Sequence, residues 1–150
     1  MPEPGKAVLH GPGEGERHGA GATKILIKAT ADDTAGSFYL AESVIPPGFP
    51  GPPPHVHDHL HDMFYVLEGT LTVRVGDETM ELPAGSFAAV PPGTVHTFSN
   101  PTGETVRMLN MNTPGGFEGF LLDMTELWRN GPPDQAAVDE LTSRYDVVFT

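Results

Sequence analysis

Four histidines, His55, His57, His59 and His61, fall within seven residues, and a carboxylate, Asp62, follows directly. In an extended chain alternate side chains share a face, so His55 and His57 point the same way. Two imidazoles on one face can chelate a single ion, and each does so in its neutral form. Read alone, the segment is either a chelating strand or a solvated histidine-rich turn. The chain contains no cysteine, which excludes thiolate ligands, cysteine nucleophiles and disulfides. Histidines with a carboxylate and no sulfur suit one divalent transition metal, Fe, Mn, Ni, Co, Cu or Zn.

The elements around this run must position it. Residues 46–54 contain six prolines. Proline donates no ladder hydrogen bond, so this stretch is unfit for a central strand and should be stiff and extended as it reaches His55. Short β patterns surround it at residues 23–29, 37–45, 64–67, 71–75, 79–82, 87–90, 95–98 and 105–111, broken by Gly and Pro turns. Residues 64–67 and 71–75 read as a hairpin about Gly69. Many short strands with frequent turns predict a sandwich or barrel. Beyond Pro114, the residues Phe117, Phe120, Leu121, Met124, Leu127 and Trp128 recur at helical spacing. A second helix is expected from Asp134, its N-cap, to Tyr145. The expected organisation is a flexible tail over 1–22, a barrel over 23–114 and C-terminal helices over 115–150 packing on the barrel.

Composition removes several function classes. A chain of 150 residues suits one domain. Twenty acidic against eight basic residues give a formal net charge of −12. Such a surface repels phosphate, which argues against nucleic acid and against anionic membrane as partners. No apolar run approaches the roughly 18–20 residues needed to span a bilayer, and residues 1–22 carry no stretch resembling a signal peptide. A soluble, cytoplasmic protein is expected.

A second segment, Gly85 to Asn100, joins the histidine run, and together they resemble the cupin family. That family's first motif is Gly, five residues, His, one residue, His, three or four residues, Glu, six residues, Gly. His55, His57 and Gly69 fit it, Asp62 stands where Glu is usual, and Phe49 takes the leading glycine's place beside Gly48. In the second motif Gly85, Pro91, Gly93, His96 and Asn100 all fall at the family's spacing. Across residues 23–149, from Pro46-Pro47-Gly48 through Phe64 to Gly69 and on to the segment after Pro114, the chain looks like bacterial quercetin-dioxygenase-like monocupins.

The resemblance implies an all-β fold, a cupin-type double-sheet jelly-roll barrel of roughly six to eight strands with a short C-terminal helical segment. It implies one divalent metal in the barrel mouth, held by His55 and His57 from one strand end, an acid from the next strand and His96 from a third. Asn100, Gly69 and Gly93 would be structural. Anchoring the register at Gly69 puts Asp62 in the acid's slot. His61 is the rival, because its spacing from His57 fits the shorter form of the motif. His59 is expected at the surface. In this family the metal-bound carboxylate can also act as a base, which makes Asp62 the candidate catalytic residue.

An apolar pocket wall is expected from Phe38, Leu40, Phe64, Met111, Phe117 and Met124, suited to a hydrophobic or aromatic small molecule. Three activities fit: a dioxygenase acting on a flavonol-like or other enolisable aromatic compound, a metal-dependent cyclase or isomerase, and a non-catalytic binding cupin. A homodimer is expected, with Tyr39, Tyr65 and Leu67 covered by the partner.

Overall fold

Apolar residues at alternate positions make segments that are stable only as strands with one face buried. The computed structural model describes residues 6–20 and 23–150. The strands among them are β1 (Glu16–Ala20), β2 (Thr23–Ala29), β3 (Tyr39–Ile45), β4 (His55–Val56), β5 (His61–Glu68), β6 (Thr70–Val75), β7 (Glu78–Pro83), β8 (Phe87–Val90), β9 (His96–Ser99) and β10 (Val106–Thr113). Two helices follow, α1 (Glu118–Leu127) and α2 (Gln135–Ser143), and then a last short strand, β11 (Val148–Phe149).

Two antiparallel sheets face each other. One has the order β1-β2-β3-β10-β5-β8 and the other β11-β4-β9-β6-β7. Their inner faces share a core of Ile45, Phe64, Val66, Leu71, Val73, Val90, Val106 and Met108. Full burial of such a side chain stabilises by about 1.5–3 kcal/mol. A second cluster, Ile25, Ile27, Tyr39 and Ala41, packs under Leu121 and Leu122 of α1. The fold is the double-sheet cupin jelly roll that the two motifs imply.

Four local expectations need correction. The chain does not turn back as a hairpin at Gly69. β5 pairs with β10 and β8, whereas β6 pairs with β7 and β9. Gly69 therefore carries the chain from one sheet to the other, so that Phe64 and Val66 face Leu71 and Val73 across the core. It has φ +79°, and a Cβ there would lie 2.7 Å from the Thr105 carbonyl oxygen. Residues 16–20, expected in a flexible tail, form β1 and pair with β2 from Glu16↔Ile27 to Ala20↔Thr23. Backbone ladder bonds hold this edge strand, so its low apolar content was a poor guide. Residues 1–5 and 21–22 of that tail lie outside the described residues. Tyr39 points inward and is buried, so it offers nothing to a partner, while Tyr65 is exposed and Leu67 half-buried. Finally, the C-terminal segment is not helical throughout, since β11 pairs with β4 through Val148↔Val56 and Phe149↔His55.

Two other readings hold in detail. Asp134 caps α2, its side chain accepting from the Ala137 N–H at 2.8 Å. Asn100 is fully buried and ties the turn before β10, donating from Nδ2 to the Glu104 and Pro46 carbonyls while Oδ1 accepts from the Thr102 N–H and hydroxyl. The proline-rich segment runs close along β9. Gly51 has φ +85°, and a Cβ there would sit 1.9 Å from the Phe98 carbonyl oxygen, so only glycine fits this approach.

Candidate metal centre

His55 lies on β4 and His57 two residues on, Asp62 comes from the start of β5, and His96 opens β9, directly opposite His55. Both sheets thus contribute to one point. All four residues are buried, and one donor atom from each lies within 4.8 Å of the others. An ion with bonds of about 2 Å places opposite donors roughly 4 Å apart, so the group can close on one metal with little movement. Asp62 Oδ2 lies 2.9 Å from His96 Nε2 and 3.7 Å from His57 Nε2.

The backbone fixes which ring nitrogen is free. Each imidazole meets a carbonyl through Nδ1: His55 at Pro53 (2.9 Å), His57 at Asp146 (2.6 Å) and His96 at Thr94 (3.0 Å). A carbonyl can only accept, so Nδ1 carries hydrogen and Nε2 of each ring is the nitrogen turned to the cluster. Such partners orient a ligand and raise its basicity.

Electrostatics match this arrangement. Burial pushes the Asp62 carboxyl up, but hydrogen bonds from His57, His96 and Asn110 outweigh burial and bring it down to about 2. Burial lowers His55 to about 4, which leaves it neutral and able to ligate near pH 7. For His57 burial works downward, yet its bonds to Asp62 and to the Asp146 carbonyl leave it raised above the ordinary value.

Asp62 is anchored from the neighbouring strand. Its Oδ1 accepts from Asn110 Nδ2 and Asn112 Nδ2, each at 2.8 Å. One oxygen is thereby occupied, and Oδ2 is left to face the histidines. His61 is exposed on the opposite side of β5, paired with Thr113, and does not reach the cluster. His59 is exposed as well. The shorter aspartate suffices because β5 brings it within hydrogen-bond distance of His96.

A cavity of about 180 Å³ opens beside the cluster, with His55 and Asp62 in its wall. Phe117 lies edge-on to His57 (4.8 Å between centroids) and stacks on Phe120 (5.0 Å), while Phe149 flanks His55. Of the six expected wall residues only Phe117 lines this cavity. Leu40 and Met111 pair across β3 and β10 on the outer face, and Phe38 lies outside the strand, just ahead of β3. A register reading off by one residue moves a whole set to the wrong side. The inward positions are Tyr39, Ser43, Met108, Asn110 and Asn112. Phe64 belongs to the core between the sheets. Met124 faces a separate surface groove beside Trp128.

Sequence reasoning missed Asp146, Phe149, Asn110 and Asn112. The two asparagines had a signal: on β10 the inward row changes from Val106 and Met108 to Asn110 and Asn112. Asp146 had none. Its carboxylate receives the Asp58, His59 and Leu60 N–H groups at 2.6–3.1 Å, and its carbonyl holds His57. Asp146→Ala should leave three loop N–H groups without their acceptor and let the loop after His57 drift. Metal affinity is expected to fall about 10–100-fold, as for other residues that orient ligands, in a chelator-competition titration; an unchanged constant would show that the carbonyl alone suffices.

Comparison with known proteins agrees with this picture. The family model for the cupin domain matches residues 41–112. The quercetin 2,3-dioxygenase of Bacillus subtilis (strain 168) is 33% identical over 108 residues, covering 72% of this chain and 32% of that protein. The chain thus spans about a third of that relative's length. Among solved structures, the polyketide cyclase RemF from Streptomyces resistomycificus aligns with a TM-score of 0.62 and 26% identity, over 72% of this chain and 80% of that one. KdgF from Halomonas sp. aligns at 0.66 with 16% identity, over 76% and 99%. Two facing antiparallel sheets, a buried three-histidine and carboxylate cluster between them and the match over residues 41–112 agree on one assignment: this chain belongs to the cupin superfamily.

Proposed function

We propose that the protein is a metal-dependent dioxygenase acting on a flavonol-like or other enolisable aromatic small molecule. The observation that carries the reading is the placement of His55 and Asp62 in the wall of an apolar, phenylalanine-rimmed cavity, which lets a ligand oxygen approach the cluster directly. The likeness to a quercetin 2,3-dioxygenase supports the same reaction class. A divalent transition metal held by His55, His57, Asp62 and His96 would supply Lewis acidity and, when redox-active, chemistry with dioxygen.

The chain's own residues do the rest. Phe117, Phe120 and Phe149 exclude water and offer flat faces to an aromatic ring. Asp62 has Oδ1 occupied by two amides, so Oδ2 is the only oxygen able to take a substrate proton, and it must do so beside the histidines. The test is an oxygen electrode with iron-, manganese-, nickel-, cobalt- and copper-loaded protein and a flavonol panel. Uptake is expected with at least one metal and should vanish in His96→Ala. No uptake with any metal would remove flavonol dioxygenation.

The second reading is a metal-dependent cyclase, favoured by the alignment with the polyketide cyclase RemF. It would need the cluster only as a Lewis acid, and product formation without oxygen would identify it. In either case we propose a homodimer through the outer face of the six-stranded sheet, where Tyr65 and Phe87 are exposed side by side in register. Light scattering at micromolar concentration should give twice the chain mass; a monomer mass would refute this.

A further inference from the structure

The last residues of the chain cover one side of the cavity, and they hang from a pinned point. Tyr145 fixes the chain to α1: its hydroxyl donates to Asp123 Oδ2, and its ring packs against Phe120 and against Gly119, where a Cβ would lie 2.9 Å from it. The Asp146 carboxylate accepts the Asp58, His59 and Leu60 N–H groups. Beyond these anchors the hold is slight. β11 is two residues long, lies at the edge of its sheet and pairs with β4 alone, and the Thr150 N–H donates to the Pro54 carbonyl at 3.0 Å. Short edge segments with few contacts open locally at a small fraction of the cost of global unfolding. Val147 and Phe149 both line the cavity. Phe149 is 38% exposed, so a single ring stands between cavity and solvent there, whereas Tyr39, Met108 and Asn112 of the barrel wall are buried.

One peptide unit joins this cover to the cluster. Its Asp146 carbonyl meets His57 Nδ1 at 2.6 Å, and its Val147 N–H donates to the Tyr145 carbonyl at 2.9 Å, closing a three-residue turn on Asp146. The unit is planar and rigid. Rotation between the Asp146 Cα and its carbonyl carbon therefore swings Val147 and Phe149 off the cavity and turns the carbonyl off the histidine in the same movement, while the anchored carboxylate stays in place. We propose that residues 146–150 are a strap hinged at Asp146, so that uncovering the cavity and loosening the cluster are one event. This rests on the cluster being a metal centre, as proposed above, and adds how that centre opens and closes. The coupling is reciprocal: an ion that fixes the His57 ring holds the strap shut, and a closed strap retains the ion.

The chain has no cysteine, so Val56→Cys combined with Val148→Cys can form a single disulfide that staples the strap. The two positions are register partners across β4 and β11, and Val148 is exposed. Facing residues of antiparallel strands have Cα atoms about 4.5–5.5 Å apart, within reach of a disulfide. Zinc-loaded protein is mixed with excess 4-(2-pyridylazo)resorcinol, and the freed zinc is followed by absorbance. The stapled protein should release zinc about tenfold or more slowly than Val56→Ser/Val148→Ser, because release waits on local opening. Equal rates would mean that the ion leaves by another route and would overturn the proposal. Hydrogen exchange on the wild-type protein decides the matter if the double variant does not fold. The Val147 and Thr150 amides should exchange about tenfold or more faster than those of Leu71 and Val73 in the core, and zinc should slow the strap amides. Strap amides that exchange no faster than the core, or that zinc leaves unchanged, would overturn the proposal. Failure of the metal reading is distinguishable, because elemental analysis would find no zinc in the wild-type protein before the chelator is added.

Discussion

His96→Ala is expected to reduce bound metal from one equivalent per chain to a trace in dialysed protein, and His55→Ala to do the same. A four-ligand ion in a protein site is held by about 10–16 kcal/mol. Loss of one donor in four is then worth on the order of 3–4 kcal/mol, a several-hundred-fold drop in affinity at about 1.4 kcal/mol per factor of ten. His96 carries a further consequence, since it is the histidine nearest Asp62, at 2.9 Å, and sits opposite His55 in the strand register. Removing it strips a buried carboxylate of its shortest ring contact and opens a void at the same point. Elemental analysis decides the matter, with circular dichroism to confirm that each variant is folded. Unchanged stoichiometry in both variants would dismiss these residues as ligands.

The fourth donor gives a contrast of similar size. Asp62→Ala should lower affinity by the same several hundred-fold, on the same quarter share of the binding energy, and His61→Ala should leave it within about twofold, in the range of surface substitutions. The two residues are adjacent in sequence but face opposite ways on β5. Asp62 is buried among His57, His96, Asn110 and Asn112, whereas His61 is exposed. Asp62→Asn keeps the shape and both amide neighbours nearby, but it places an amide nitrogen where an acceptor is required, and it should bind metal poorly as well. A larger loss from His61→Ala than from Asp62→Ala would transfer the donor role to His61.

These contrasts show which parts of the site could be read from the chain. The second motif was legible because its determinants are local. Pro91 and Gly93 shape the turn that delivers His96, and Asn100 closes the following turn through its own side chain. His55 and His57 were legible because two-residue alternation survives in any strand, and anchoring at Gly69 put Asp62 on the inward face of β5 and His61 on the outward one, which is how they lie. The pocket wall was not legible. Leu40 and Met111 are as apolar as true wall residues, and only the pairing of β3 with β10 shows that both face outward. The hairpin about Gly69 failed for a related reason: a glycine with φ +79° serves a tight turn and a crossing between sheets equally well, and the choice depends on which strands lie alongside. Asp146 was beyond reach, because it meets His57 across 89 positions of sequence and the contact is made by a backbone carbonyl that every residue possesses.

The role of Asp146 gives the site an order of assembly in time. All four donors precede it in the chain, and a ribosome adds only about 5–20 residues per second. While the barrel strands are emerging, the His57 ring has no carbonyl at Nδ1, the loop after it lacks the acceptor for three N–H groups, and β4 has β9 as a partner but not yet β11. The nascent chain therefore holds the donors without the geometry. An arrangement able to hold an ion therefore arises only once the segment carrying Asp146 and β11 has folded back against β4 and the loop after His57.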